Sequence, residues 1–244
     1  MEPLNQAEIR QARVDLAAAF RWAVRQGLNE GICNHFSMDV GGGRFLVNKW
    51  GLHWSELSAS NLLLADFDGA ILKGEGEVEP TAFYIHSRLH KNCPQATVVM
   101  HTHMPYATAL TIVEGGRLEP CEQKAIRLCK TIVYDDDYQG LALDNAEGDR
   151  MAAKLGDKRI LFLAHHGIIV THRSVAEAYD DLYYLERACQ VQVIARQTGL
   201  PLRPIPEPVL QRTEAQYGDE RTSAPLHFAS LKRILDREEP DYAN

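Results

Sequence analysis

The chain has 244 residues, 45% of them hydrophobic and 24% charged, with a formal net charge of -7, the profile of an ordinary soluble globular protein of one large domain or two small ones. The acidic balance excludes nucleic acid and anionic membrane surfaces as partners, because both need a basic footprint that displaces counterions, and no apolar run approaches membrane-spanning length. Cys33, Cys93, Cys121, Cys129 and Cys189 are odd in number and contain no Cys-x-x-Cys, so reduced thiols in a cytoplasmic protein are expected, and the N-terminus offers no basic-then-apolar leader.

Residues 6–26 carry Ile9, Val14, Leu16, Ala17, Phe20, Ala23 and Val24 at near-helical spacing with Gly27 at the stop, which predicts one amphipathic helix. Runs of β character follow over 32–40, 44–48 and 61–72, the last broken by the turn Asp66-Phe67-Asp68-Gly69; this is a meander, not a βαβ repeat. Behind Pro80, residues 81–91 have helical periodicity through Phe83, Ile85, His86 and Leu89. The apolar run 96–100 then ends in His101-Thr102-His103. A short helix is predicted over 104–113, a strand over 131–134, a helix over 145–155 stopped by Gly156, and a second histidine-bearing strand from 159 to about 171. Ser174, with Glu177 as capping-box partner, opens the longest helix, which runs to Gly199. Four prolines make 200–208 an extended linker before a terminal helix over 224–239. Residues 201–244 are therefore expected as a proline-linked tail with little core of its own, suited to docking on a neighbouring subunit.

Side chains alternate faces along a strand, so His101 and His103 project together while Thr102 points away, the placement that two ligands of one ion need. Imidazole suits Zn²⁺, Fe²⁺ or Mn²⁺, and three protein ligands with a position left open describe a catalytic site. The second cluster, His165-His166-Gly167, follows another apolar run, and the same alternation lets only one of its two histidines join the first pair.

The order Asn34-His35-Phe36-Ser37, Gly51, Pro80 to His86, Val99-Met100-His101-Thr102-His103 and His165-His166-Gly167 resembles the class II aldolase/adducin family over about residues 8–200. The resemblance implies an α/β fold, a three-layer α/β/α sandwich with a central, largely antiparallel sheet. It implies a divalent metal ion, zinc first with manganese or iron as options, on His101, His103 and His166. His165 would face away, into the core or a hydrogen bond behind the ligands. It also implies a homotetramer with sites between subunits, and a lyase that breaks a C–C bond of a small-molecule substrate, by decarboxylation or retro-aldol cleavage, through a metal-stabilised enolate. A non-catalytic adducin-like interaction module, an iron-dependent oxygenase and a dehydratase are the alternatives within the same family.

The pattern departs from the family's sugar-phosphate aldolases. His35 stands where their phosphate loop has asparagine, Trp50 before Gly51 replaces a threonine, and Pro80-Thr81 replaces two serines. A phosphate cradle needs small residues and free N–H groups, and Pro80 has none to offer, so a non-phosphorylated substrate is expected. Asn34, His35 and Gly51 are the substrate-binding candidates, with Arg44 able to orient an anion. The carboxylate that serves those aldolases as acid/base falls on Ala82. General acid–base help is worth roughly 10² to 10⁴ in rate, which leaves Glu79, Tyr84, Glu122 and Gln123 as candidates to replace it. The loss at position 82 leans toward decarboxylation.

Overall fold

The computed structural model describes residues 2–217 and 223–244. Helix α1 (Gln6–Arg25) starts at Asn5, whose side chain accepts from the Ala7 and Glu8 amides while Glu8 reaches back to the Asn5 amide. Its inner face buries Leu16, Ala17, Phe20 and Ala23. The predicted meander follows as β1 (His35–Asp39), β2 (Arg44–Val47), β3 (Leu63–Asp66) and β4 (Ile71–Lys73), paired antiparallel in turn. Helix α2 (Pro80–Asn92) places Pro80 in its first turn, where a missing N–H costs nothing, and leads into β5 (Val98–Thr102). Beyond it come α3 (Pro105–Thr111), α4 (Gln123–Cys129), β6 (Ile132–Asp135), α5 (Asn145–Leu155), β7 (Ile160–Leu163), β8 (Gly167–His172), α6 (Val175–Gln197), α7 (Glu207–Tyr217) and α8 (Ser223–Glu238).

The strands form one sheet in the order β4-β3-β2-β1-β5-β8-β7-β6, antiparallel except for the parallel pair β6 and β7. Period-two alternation divides each central strand between two cores. Phe36, Val98, Met100, Ile168 and Val170 pack with α1, α3, α4, α6 and α8, whereas Val99, Leu161 and Ile169 pack with α2 and α5. Helices therefore cover both faces, which is the three-layer α/β arrangement expected from the sequence. Fully buried Leu16, Phe20 and Phe36 each contribute roughly 1.5–3 kcal/mol of burial against the cost of being ordered.

Several expectations change. The run 159–171 is two strands, not one: residues 164–166 form a turn that joins β7 to antiparallel β8, with His165 at φ 57°. Both halves are apolar and buried on two faces, so hydrophobicity alone carries no mark of the reversal. The linker ends at residue 206, because Pro208 suits a first helical turn and 207–217 fold as α7. Helix α4 had no strong periodicity to announce it and is set by Glu122 at its N-cap.

The last segment is also more integrated than expected. Phe228, Leu231 and Leu235 of α8, together with Tyr242, belong to the main core, and Trp22 Nε1 donates to the Leu231 carbonyl at 3.0 Å. Arg21, itself buried, pairs with Glu239 at 2.9 Å and Asp241 at 2.7 Å. These contacts dock α8 on the chain's own α1 and α6, so the segment adds core that its polar face and proline lead-in concealed. No helix among the described residues is long and apolar enough to cross a membrane.

Candidate metal centre

Strand β5 is the axis of the site. On one side it pairs with β1, which sets His35 beside His101; on the other it pairs with β8, which sets His101 beside Ile169. His101 is buried, and its Nδ1–H donates to the Ile168 carbonyl at 3.0 Å, which leaves Nε2 without a proton in the neutral ring. His103, one residue past the strand, sets Nδ1 2.5 Å from Glu30 Oε2, so this Nδ1 carries a hydrogen, and in the neutral ring its Nε2 is bare as well. The two Nε2 atoms are 3.1 Å apart. His166, delivered by the β7–β8 turn, completes a group whose ligand atoms all lie within 4.8 Å of one another.

Bare lone pairs facing each other at that distance repel unless a positive charge lies between them. A proton satisfies two nitrogens, whereas an ion satisfies three. Nitrogens each 2.0–2.1 Å from a tetrahedral zinc lie about 3.3 Å apart, close to the observed spacing. The donor set therefore fits a divalent ion of borderline character such as Zn²⁺, Mn²⁺ or Fe²⁺. Burial, reinforced by the neighbouring imidazoles, holds His101 well below the usual histidine range and His166 down to about 4, so both are neutral and ready to bind at neutral pH.

The glycine after His166 is a steric requirement: a Cβ at Gly167 would lie 2.6 Å from His103 Cδ2 and from the Thr102 carbonyl oxygen. His165 takes no part in the cluster. It is exposed, its amide donates to the Thr111 carbonyl at 3.2 Å, and its ring faces Tyr138 with centroids 6.0 Å apart. Its expected place in the core is thus corrected, and the turn, not strand alternation, separates it from His166. A cleft of about 440 Å³ opens on this other side of the turn, lined by Arg117, Tyr134, Asp136 and His165 and by none of the three clustered histidines.

Three more predicted residues stand at the site. His35 is buried, stacks on His101 with ring centroids 5.1 Å apart, and holds Nε2 3.4 Å from Glu79 Oε2. Glu79 is the N-cap of α2, accepting from the Ala82 amide at 2.8 Å and from the Thr81 hydroxyl. Burial raises its pKa, but hydrogen bonds from His35, Thr81 and the Ala82 amide outweigh this and hold the carboxyl at about 2. Asn34 is buried as well; its Oδ1 accepts from the Glu30 amide at 2.9 Å, and its Nδ2 has no hydrogen-bond partner.

The remaining candidates lie elsewhere. Tyr84 stays on α2 with its ring against Phe83 at 5.2 Å. Gly51 sits in the exposed loop after β2 at φ 86°, with open space around it. Glu122 caps α4 by accepting from the Lys124 and Ala125 amides, and Gln123 is exposed. None of these four shares a hydrogen bond or ring contact with the clustered histidines among the described residues. Arg44 opens β2 at the end where β1 finishes, about 17 Å along the sheet from His35 at ~3.4 Å per residue, which rules it out as a partner of His35.

Sequence reasoning missed Glu30, whose role depends on a loop folding back across 73 residues to His103. It also missed the hydrogen-bonded row of Ser37, His86 and His90 beside His35, although the four-residue spacing of the last two on one helix was a readable signal.

The family model described as Class II Aldolase and Adducin N-terminal domain matches residues 14–193. A class 2 aldolase-like protein of Caulobacter vibrioides is 34% identical over 245 residues, covering 96% of this chain and 92% of its own. Decarboxylase NovR of Streptomyces niveus is 29% identical over 188 residues, covering 75% of this chain and 69% of its own. The crystal structure of an aldolase II superfamily protein from Pseudomonas syringae superposes with a TM-score of 0.90 at 33% identity, covering 96% of each chain. With its sheet order, its paired histidine motifs and this match over most of its length, the chain belongs to the class II aldolase and adducin family.

Proposed function

We propose that the chain is a divalent-metal-dependent lyase that breaks a C–C bond of a small, non-phosphorylated hydroxy or oxo compound, by decarboxylation or retro-aldol cleavage. The observation that carries this reading is the convergence of His101, His103 and His166, two of them with tautomers fixed from behind by a carbonyl and a carboxylate so that bare nitrogens meet. An ion held there, zinc first, supplies a Lewis acid for the negative charge that develops on a substrate oxygen as the bond breaks. The chain's own residues do the rest. Glu30 holds the His103 tautomer, and the Ile168 carbonyl holds that of His101. Asn34 Nδ2, buried and without a partner, offers a hydrogen bond to a substrate oxygen. His35 and Glu79 are the ionisable pair beside the ligands, and they take the place of the carboxylate absent at Ala82. Tyr84 and Gly51 contribute at most to the rim, while Glu122 and Gln123 act only if a neighbouring copy brings them to the site.

Pro80 at the start of α2 removes an amide that a phosphate cradle would use, which favours a non-phosphorylated substrate. Decarboxylation is the preferred chemistry, in keeping with the named activity of NovR. Exposed Ile112, Val113, Val191 and Ile194 favour a homo-oligomer, and reduced cysteines favour the cytoplasm. A non-catalytic adducin-like module has no reason to bury converging imidazoles, since their desolvation is unfavourable unless something is bound. The test is elemental analysis of purified protein, native and metal-reconstituted, beside His103→Ala, followed by a panel of hydroxy and oxo acids assayed for CO₂ and aldehyde release. A stoichiometric ion lost in the variant, with release from at least one acid, is expected. Absence of a stoichiometric ion from both native and reconstituted protein would refute the reading.

A further inference from the structure

Helix α3 meets the metal centre at both of its ends, and the reading above assigns it no part. Its N-terminus follows His103 directly: Met104 is the N-cap and Pro105 the first helical residue. Its C-terminus reaches the β7–β8 turn, where the Thr111 carbonyl accepts from the His165 amide at 3.2 Å, one residue before His166. His101 lies within β5 and is paired on both sides. His103 lies one residue past that strand and His166 lies in the turn, so no ladder holds either of them. The two ligands that the sheet leaves loose are the two that α3 joins.

The way α3 is seated is unusual. A helix commonly satisfies its first amides with a side chain at its own N-cap, but Met104 makes no such bond and Pro105 has no N–H. The Tyr106 and Ala107 amides donate instead to one residue of another helix, Glu186 of α6, at 2.9 Å to Oε1 and 2.9 Å to Oε2. Glu186 is only 4% exposed, and burial raises its carboxyl to about 7 although the two bonds oppose the shift. A serine or aspartate at position 104 would cap α3 without drawing a carboxylate into the core from another helix. A cap carried by α6 does something that a local cap cannot, because it fixes where α3 sits against the rest of the molecule. Ala107 and Leu110, buried in the main core, hold the same helix from its inner face.

The turn at the far end is itself constrained. His165, at φ 57°, is the one non-glycine residue at positive φ among the described residues, a conformation that persists only where its surroundings dictate it. The hydrogen bond from its amide to Thr111 is one of those surroundings.

We propose that α3 is a strut that sets the separation of His103 and His166, and that Glu186 is the positioning residue that seats it. Glu186 is bonded to neither ligand. It acts through the Tyr106 and Ala107 amides on the chain leaving His103 and, through the Thr111 carbonyl, on the turn that delivers His166. The effect on a bound ion rests on the metal-dependent reading above, whereas the coupling between Glu186 and the turn does not.

The test compares three variants: Glu186→Gln, which is nearly isosteric but accepts through one atom instead of two, Leu110→Ala in α3, and Leu235→Ala in α8. The visible bands of cobalt(II)-loaded protein report ligand geometry, chelator competition reports zinc affinity, and a thermal melt of the metal-free protein reports stability. Glu186→Gln and Leu110→Ala should each weaken zinc by about tenfold and shift the cobalt bands. Leu235→Ala should lower the melting temperature and leave zinc affinity and cobalt bands as in wild type, because it lies outside the strut. Wild-type zinc affinity and cobalt bands in Glu186→Gln, or an equal loss in Leu235→Ala, overturn the proposal; should Glu186→Gln not fold, Leu110→Ala decides on the same terms. Failure of the wild type to take up either metal strikes the metal reading alone. Hydrogen exchange at the His165 amide of metal-free protein then decides the strut: exchange faster in Glu186→Gln than in Leu235→Ala supports it, and equal exchange refutes it.

Discussion

Gly167→Ala adds one methyl group at the point where β8 leaves the histidine turn, and its Cβ would stand 2.6 Å from both His103 Cδ2 and the Thr102 carbonyl oxygen. Ordinary contact begins at 3.4 Å, so about 0.8 Å (3.4 − 2.6) has to be found. The carbonyl belongs to the backbone and cannot swing away, and Gly167 is not among the positive-φ residues, so the effect is steric. Relief must come from parting the β5–β8 ladder where Thr102 pairs with Ile168, which carries His103 away from His166. Overpacking of this kind costs about 1–3 kcal/mol. For a chain of 244 residues, at about 2–4 °C per kcal/mol, the melting temperature should fall by roughly 2–12 °C. Zinc affinity should fall with it by about 10–100-fold, the range seen when the support behind a ligand is disturbed. Competition with a chromophoric chelator and a thermal melt of the metal-free protein measure the two effects. Wild-type zinc affinity in a variant with an unchanged melting temperature would show that the close approach does not constrain the ligands.

Three further changes probe other parts of the structure. Glu30→Gln removes the carboxylate behind His103 and should weaken zinc binding by about 10–100-fold with little effect on metal-free stability, since Glu30 is mostly exposed; chelator competition reads it. Leu235→Ala in α8 should cost about 2–5 kcal/mol in denaturant unfolding, because this side chain is fully buried in the main core; a cost near zero would mean the last segment is an accessory. Glu186 is buried on α6, where burial raises its carboxyl to about 7 against the opposing hydrogen bonds from the Tyr106 and Ala107 amides. Its folded pKa lies above the unfolded value of 4.5, so the stability it contributes is present at acid pH and is lost as pH rises through about 7. Melts of wild type and Glu186→Gln from pH 4.5 to 8 should differ by a slope confined to that window, and parallel curves would contradict the assignment.

Much of the fold was legible because its elements obey local rules. The α1 periodicity, the meander with its Asp-Gly turn, Pro80 at a helix start and Ser174 at an N-cap each announce themselves within a dozen residues. The β7–β8 hairpin was not legible, since strands buried on both faces are apolar throughout and the reversal at His165 depends on one residue in a left-handed conformation. The site followed the same division. His101 and His103 are near in sequence and the strand places them, and the family resemblance supplied His166. Glu30, Ser37, His86 and His90 act only through tertiary contacts between β1, α2 and a loop, and no spacing along the chain encodes which ring nitrogen is bare.

The sheet order places every strand from the first half of the chain on one side of the β5–β8 junction and β6, β7 and β8 on the other, so this junction is the seam between two halves of the molecule. His101 and His103 lie on one lip of the seam and His166 on the other. A bound ion is consequently a staple as much as a reagent. Opening the seam requires its release, and free metal at 100 times its dissociation constant would raise the free energy of opening by about 2.7 kcal/mol. Chelation should then quicken amide exchange along β5 and β8, at the centre of the sheet, before it reaches the edges, an inversion of the usual order in which edges loosen first.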